Sequence, residues 1–341
     1  MKIFTVMLTL LAIIPFCSTL YIERIEGLGL TVGLSLDTKV KPVKILGESI
    51  LETRKVELPK PKLVKIKDGL NESILVIPGL DFYEYRRTWT DYKVRFKESV
   101  LKALKNDSRS VYMYIYPSLS ESYWTSGKRL VTLTRDLKNL TIIAHSRGGL
   151  VARVALMYPD FRKKVKKVIF LGTPHFGTPM SDALKIDPDD IEEHFGVSKN
   201  EAEILKLSLI LSYNAGIPRA PGSIDMSWMD VNLPPLLNYK GIKFIFVAGY
   251  IEIESIEDIS KFVRNIFKTK TFKSSTGLTY LYLVNEIIAE KRREFSLTDG
   301  LVPVWSALAL GKLKGEKFVL PGYNHAMLYS DPEILRMALE K

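Results

Sequence analysis

Residues 139–156 read NLTIIAHSRGGLVARVAL and contain the pattern that decides the fold. The apolar run LTII leads into Ser146, and helical spacing of apolar residues begins directly after it. Ala144 and Gly148 lie two positions on either side of the serine, where bulky side chains would collide in a tight turn. The stretch predicts a nucleophile elbow between a strand and a helix. In such a turn Ser146 has a positive φ, and the backbone N–H of Arg147 faces the reaction centre.

From residue 73 onwards, short apolar runs alternate with segments of helical periodicity. The runs are SILVIPG, SVYMYIYPS, LTIIAHS, VKKVIFLGTP, IKFIFVAGY and EKFVLPG. This order predicts right-handed crossovers and an α/β fold with a doubly wound, mainly parallel sheet. Asp331 and Pro332 are typical of the start of a last helix. Residues 23–70 alternate apolar and polar side chains instead, which predicts antiparallel strands at a sheet edge.

The N-terminus and two long interruptions set the expected domain organisation. Residues 1–20 have one lysine followed by an apolar stretch, which predicts a secretory signal peptide or an uncleaved N-terminal membrane anchor. We therefore expect a secreted, extracytoplasmic protein or, alternatively, a membrane-anchored one. Residues 21–341 are expected to form one domain. It would carry a helical cap or lid insertion at about 178–240 and a second insertion at about 251–297.

Composition narrows the possible environments and partners. The chain of 341 residues has a net charge of +11, in short basic clusters without a zinc-finger or RNA-binding signature. We expect no nucleic acid partner, and peripheral contact with an anionic lipid surface stays possible. Cys17 is the only cysteine, so no disulfide is expected after export. The absence of glutamine favours a heat-adapted source.

Four further motifs accompany the elbow along the chain. They are VIPGLD at 76–81, LGTPHFG at 171–177, TDGLVPVWS at 298–306 and YNHAML at 323–328. Together with the elbow they resemble the α/β-hydrolases, and within that superfamily the secreted bacterial lipases of the triacylglycerol lipase or esterase type. The resemblance runs from about residue 73 to the C-terminus. It implies an α/β-hydrolase fold and a catalytic triad in the order serine, acid, histidine.

The resemblance assigns the triad to Ser146, Asp299 and His325. The chain has four histidines, and only His325 lies beyond Asp299. The acid is less constrained, because several other aspartates also lie between the serine and the histidine, among them Asp187, Asp189, Asp190, Asp225 and Asp230. Asp299 is preferred because it lies in the motif that resembles the acid-bearing segment of the lipases.

The resemblance also suggests an oxyanion hole and residues that line the site. Gly79 would let the backbone approach closely, and the N–H of Leu80 would join that of Arg147 in binding the oxyanion. His175 is expected to line the site or to have a structural role. Lipases of this type carry an acidic calcium ligand two residues after the catalytic histidine. That position is Met327 here, so no calcium site, and no other metal or cofactor, is expected.

The predicted activity is hydrolysis of carboxylic esters, with a lipid-like ester as the substrate. A short-chain carboxylesterase, a thioesterase or an acyltransferase on the same fold is the alternative. A hydrolase fold without catalysis that binds a lipid or a protein partner is a further alternative.

Overall fold

The computed structural model describes the strands of the main sheet, the helices that cover it and the loops at its carboxyl edge. These residues are 59–81, 84, 88–178, 189, 192, 198–199, 225–226, 232–251 and 297–341, with the backbone of 19–25 and 29–35. Most of the predicted signal or anchor segment and most of both predicted insertions lie outside the described residues. Within these ranges, no helix combines the length and the apolar composition needed to cross a membrane.

The main sheet has seven strands in the order β3-β5-β4-β6-β7-β8-β9. Strands β4 to β9 are mutually parallel, and β3 pairs antiparallel with β5 at the edge. The prediction of a mainly parallel sheet is confirmed, and each of the six apolar runs forms one strand. The bounds are β3 (Lys62–Lys67), β4 (Leu70–Ile77), β5 (Arg109–Ile115), β6 (Leu140–His145), β7 (Val165–Leu171), β8 (Lys243–Tyr250) and β9 (Glu316–Pro321).

The segment 23–70 is only partly the sheet edge that its alternation predicts. Strand β3 is such an edge strand. However, β1 (Thr19–Ile25) and β2 (Gly29–Ser35) form a separate two-stranded antiparallel sheet. Each strand satisfies the backbone of the other in unbroken register, from Thr19 opposite Ser35 to Ile25 opposite Gly29.

Helices cover both faces of the main sheet, as a doubly wound fold requires. Asp331 caps the last helix by accepting from the N–H of Glu333, and Pro332 occupies its first turn, as predicted. The helices are α1 (Asp91–Ala103), α2 (Tyr123–Leu133), α3 (Gly148–Leu156), α4 (Pro159–Arg162), α5 (Val304–Ala307), α6 (Met327–Ser330) and α7 (Pro332–Glu340).

The alternation of side chains along each strand divides the core into two layers. In β6, Ile142 packs with α2 and α3 on one face, and Ile143 packs with α1, α6 and α7 on the other. Every residue of β6 is buried, which explains why it reads as a continuous apolar run. Strand β6 lies at the centre of the sheet and is packed on both faces, so Ser146, which follows it, has a rigid support.

Candidate active site

Ser146 lies at the apex of a sharp turn between β6 and α3. Its φ is +55°, a conformation that costs a non-glycine residue about 1–3 kcal/mol. The backbone on both sides holds it there, because the N–H of Ser146 donates to the carbonyl of Leu171 at 2.8 Å and its carbonyl accepts from Gly149 at 2.9 Å. The observed geometry is that of the predicted elbow.

The loop after β4 passes directly over the serine. A Cβ on Gly79 would lie 2.6 Å from Cβ of Ser146 and 2.9 Å from the carbonyl oxygen of His145. Only glycine fits at this distance, so the approach that the motif predicts is present. Among the described residues, the N–H groups of Leu80 and Arg147 donate no hydrogen bond to the protein.

A buried ion pair between Asp81 and Lys93 anchors this loop. Asp81, next to Leu80, accepts from the hydroxyl of Thr90 at 2.6 Å and lies 3.0 Å from Nζ of Lys93. Both charged side chains are 1% exposed. The N–H of Asp81 donates to Oγ of Ser118 at 2.9 Å. Burial without a partner would be costly for either charge, so the pair fixes the loop in one position.

Glu84 is a second buried carboxyl group beside this loop. It accepts hydrogen bonds from the N–H groups of Ser118 and Leu119 at 2.8 and 2.7 Å. Burial nevertheless raises the pKa of Glu84 to about 7, against the lowering effects of Lys93 and of these hydrogen bonds. The sequence motifs do not include Lys93 or Glu84, so this cluster is found only in the structure.

Asp299 and His325, which are 26 positions apart in the chain, are in direct contact. Nδ1 of His325 and Oδ2 of Asp299 are 2.7 Å apart, and the N–H of His325 donates to the carbonyl of Asp299 at 2.9 Å. The other carboxylate oxygen of Asp299 accepts from the N–H groups of Leu301 and Val302. These two hydrogen bonds stabilise the turn that begins at Asp299. A carboxylate at Nδ1 selects the tautomer in which Nε2 is free to accept a proton.

This pair and the serine both lie at the carboxyl end of β7. Leu171, whose carbonyl holds the N–H of Ser146, is followed by Gly172 at a φ of +55°. A Cβ on Gly172 would lie 3.0 Å from Nδ1 of His325 and 3.1 Å from Oδ2 of Asp299. Among the described residues, no hydrogen bond joins Oγ of Ser146 to His325.

The motif at 298–306 is tied to the motif at 171–177 through Ser306. Its hydroxyl accepts from the N–H of Phe176 at 3.0 Å and donates to the carbonyl of Gly177 at 2.8 Å. The rings of Phe176 and Trp305 stack at 4.1 Å between centroids. Two motifs that are distant in the sequence therefore pack together and position the turn at Asp299.

His175 lies away from the contacts of Ser146 and His325. Its ring packs edge-on against Phe170 and Phe246, and its carbonyl accepts from Arg153 at 2.7 Å. Burial lowers the pKa of His175 well below its usual value, so the ring is neutral. The ring lines a separate cavity of about 260 Å³ together with Arg153 and residues 233–236. Of the two roles expected from sequence, its described contacts fit the structural one.

The side chain of Arg147 has a structural role that sequence reasoning missed. It is fully buried, and its guanidinium pairs with Asp225 at 2.9 Å. Asp225 also accepts from the N–H of Tyr123 at 2.9 Å. Asp225, considered above as an alternative acid, is thus paired with the elbow and with α2. The spacing of residues 147 and 225 gave no signal, because the contact joins the elbow to the predicted cap.

The described residues contain no group of three or more His, Cys, Asp or Glu side chains that could hold a metal ion. Met327, at the position of the lipase calcium ligand, begins α6 and donates its N–H to the side chain of Asn324.

One family model matches part of the chain. It is described as a domain of unknown function (DUF7379) and matches residues 85–188, which include the elbow. No curated protein matches.

The solved structures that match this chain include esterases and lipases by their titles. The mature lipase BlEst2 of Bacillus licheniformis is 14% identical with a TM-score of 0.46, over 83% of this chain and 98% of that one. The esterase EaEST of Exiguobacterium antarcticum is 14% identical with a TM-score of 0.42, over 82% and 94% of the two chains. A thermophilic esterase of Thermogutta terrifontis is 12% identical with a TM-score of 0.41, over 82% and 91%. The α/β-hydrolase fold of this chain is defined by its own sheet order and by its elbow.

Proposed function

We propose that this protein is a serine hydrolase that cleaves carboxylic esters, with Ser146 as the nucleophile, His325 as the base and Asp299 as the acid. The observation that carries the proposal is the 2.7 Å contact of Asp299 with His325 at the same strand end that holds Ser146. The order of the three residues in the chain is that of the α/β-hydrolase triad.

The reaction begins when Nε2 of His325 takes the proton of Ser146 and Oγ attacks the acyl carbonyl. Asp299 keeps the imidazole in the required tautomer and stabilises its cation. His325 then returns the proton to the leaving alcohol, which leaves the acyl group on the serine. Water, activated by the same histidine, attacks the acyl-enzyme and releases the carboxylic acid and the free serine.

The negative charge on the carbonyl oxygen would be held by the N–H groups of Leu80 and Arg147. Gly79 supports this assignment, because its contact with Ser146 brings the neighbouring Leu80 close to the nucleophile. One such donor contributes about 10²–10³-fold to turnover in comparable sites.

Within this reaction class we propose a lipid-like ester as substrate. The support comes from the sequence of the predicted cap, where ILKLSLILSY is more apolar than a surface helix needs. A series of p-nitrophenyl esters from acetate to palmitate, with and without vesicles, tests the proposal. Much faster turnover of acetate than of decanoate, with no response to a lipid interface, would identify a short-chain carboxylesterase instead. Thioester and acceptor-alcohol assays address the remaining two alternatives.

Catalysis itself is tested by reaction with a fluorophosphonate probe and by hydrolysis of a p-nitrophenyl ester. We expect labelling of the wild type, and loss of both labelling and turnover in Ser146→Ala. Ser108→Ala is the matched control, because Ser108 is exposed and its side chain makes no contact with the site. If the folded wild type neither labels nor turns over, the chain is a binding protein with a hydrolase fold.

A further inference from the structure

His145, the residue before the nucleophile, has contacts that the reaction above does not use. Nε2 of His145 is 3.0 Å from the carbonyl oxygen of His325, and Nδ1 is 2.8 Å from the hydroxyl of Tyr92. That same hydroxyl accepts from the N–H of Gly79 at 2.5 Å. A continuous chain of hydrogen bonds therefore runs from the loop over the serine to the backbone of the base.

The direction of each hydrogen bond in this chain is fixed by chemistry. The carbonyl oxygen of His325 can only accept, so Nε2 of His145 carries the ring proton and donates it there. In the neutral ring Nδ1 is then the acceptor, so the hydroxyl of Tyr92 donates to Nδ1 while its oxygen accepts from Gly79. Burial holds the pKa of His145 well below, and that of Tyr92 well above, the usual values. Neither group changes its charge in the neutral range, so the directions persist.

The surroundings of His145 leave its ring one position. It is 3% exposed and lies among aromatic rings, with centroid distances of 4.6 Å to His325, 4.8 Å to Tyr329 and 5.7 Å to Tyr92. A phenylalanine at position 145 could make the same packing contacts with these rings. The two polar contacts are what require histidine, because it combines an acceptor and a donor on one rigid ring.

We propose that His145 is a positioning residue that, with Tyr92, holds the base His325 and the oxyanion loop at Gly79 in fixed mutual positions. This inference rests on the proposed function. The backbone carbonyl of His325 is anchored by His145, while its Nδ1 is anchored by Asp299. One contact holds the backbone of His325 and the other holds its ring, so together they fix both the location and the orientation of the imidazole. Misplacement of a catalytic group by about 1 Å can cost about 10²-fold in rate.

Three substitutions of His145 separate its two contacts. In His145→Gln the amide nitrogen lies about where Nε2 lies, so the hydrogen bond to His325 can be kept. In His145→Asn the side chain ends near the position of Nδ1, so only the contact with Tyr92 can be kept. His145→Phe keeps the packing and neither contact. Tyr92→Phe keeps the ring and removes the hydroxyl that joins Gly79 to His145.

The experiment measures kcat and KM per fluorophosphonate-titrated site, well below the unfolding temperature. We expect kcat about 10- to 100-fold lower in His145→Phe and His145→Asn, with KM unchanged and with a clearly smaller loss in His145→Gln, which gives up only the contact with Tyr92. Tyr92→Phe and His145→Phe should be non-additive in kcat, because they break one chain of contacts. Unchanged kcat per titrated site in the Asn and Phe variants, or equal loss in the Gln variant, would overturn the proposal.

A second measurement does not depend on activity. The far-downfield proton signal of Nδ1–H in His325 reports its hydrogen bond to Asp299. We expect this signal to be kept in His145→Gln, and to be broadened or shifted in His145→Phe. An unchanged signal in His145→Phe counts against the proposal even if the wild type proves inactive. Absence of wild-type turnover alone counts against the proposed function.

Discussion

The site has two halves that are built in different ways. The first half is Ser146 with the loop of Gly79 and Leu80, on the neighbouring strands β6 and β4. It is held by close backbone packing and by buried charges, Asp81 with Lys93 below the loop and Arg147 with Asp225 beside the elbow.

The second half is Asp299 with His325. It is formed by two loops near the C-terminal end of the chain and is held mainly by hydrogen bonds. Ser146, the proposed nucleophile, is thus positioned by elements that cannot move without opening the sheet. His325, the proposed base, depends instead on a few directional contacts between loops. Substitutions in the two halves should therefore have different effects.

The largest effect is expected from the second half, in Asp299→Asn. The amide keeps an oxygen for the turn but presents an NH₂ to His325, which favours the wrong tautomer of the imidazole. We expect kcat to fall about 10⁴-fold with little change in stability. Steady-state kinetics test this, with Asp331→Asn as the matched control in a capping aspartate outside the site. A loss below tenfold would mean that another acid serves His325.

In the first half, Asp225→Asn should act on stability. It leaves the fully buried guanidinium of Arg147 without its carboxylate. We expect a loss of about 3 kcal/mol in the free energy of unfolding, at the lower end for buried pairs because Asp225 keeps 16% of its side chain exposed.

Chemical denaturation measures this loss. The double variant with Arg147→Met should recover part of it, since no unpaired charge then remains. Equal stability of the wild type and Asp225→Asn would show that the ion pair does not anchor the elbow.

Gly79→Ala tests the close packing of the first half. The added methyl group would lie 2.6 Å from Cβ of Ser146, so the loop must move and take the N–H of Leu80 with it. We expect kcat to fall about 10²–10³-fold with KM nearly unchanged. Gly311→Ala is the control at a glycine outside the site: no atom lies within 4 Å of the added methyl group, although a φ of +73° strains an alanine there. It should lower stability and leave kcat intact.

In Glu84→Gln, the free energy of unfolding should depend less on pH than in the wild type. The pKa of Glu84 is raised to about 7 from 4.5, so the folded protein binds more protons than the unfolded chain between these values. The stability that Glu84 contributes is fully present below pH 4.5 and is lost as the pH rises through about 7.

The free energy of unfolding of the wild type should therefore fall relative to that of Glu84→Gln across this window, on the order of 3 kcal/mol. Denaturation from pH 4.5 to 8 measures the difference, with Glu98→Gln on the exposed face of α1 as the control. A difference that is flat with pH would mean that Glu84 stays ionised.

Much of the fold could be predicted because it follows from local patterns. The six apolar runs are strands, and the inner strands of a parallel sheet demand such sequences because both of their faces are buried. The edge strand β9 is only partly buried. The pairing of β1 with β2 was missed because alternation indicates a strand and not its partner.

The amino-acid sequence by itself determined the elbow at Ser146, since small residues around a serine between strand and helix are a local requirement of that turn. It also determined the order of Ser146, Asp299 and His325 along the chain. Only the tertiary structure decided that Asp299 contacts His325, that Arg147 pairs with Asp225, and that His145 joins Tyr92 to the base. These contacts span 26 to 180 positions and depend on which loops the sheet brings together. The spacing of residues in the sequence does not predict such contacts, because they form only when distant strands pack side by side.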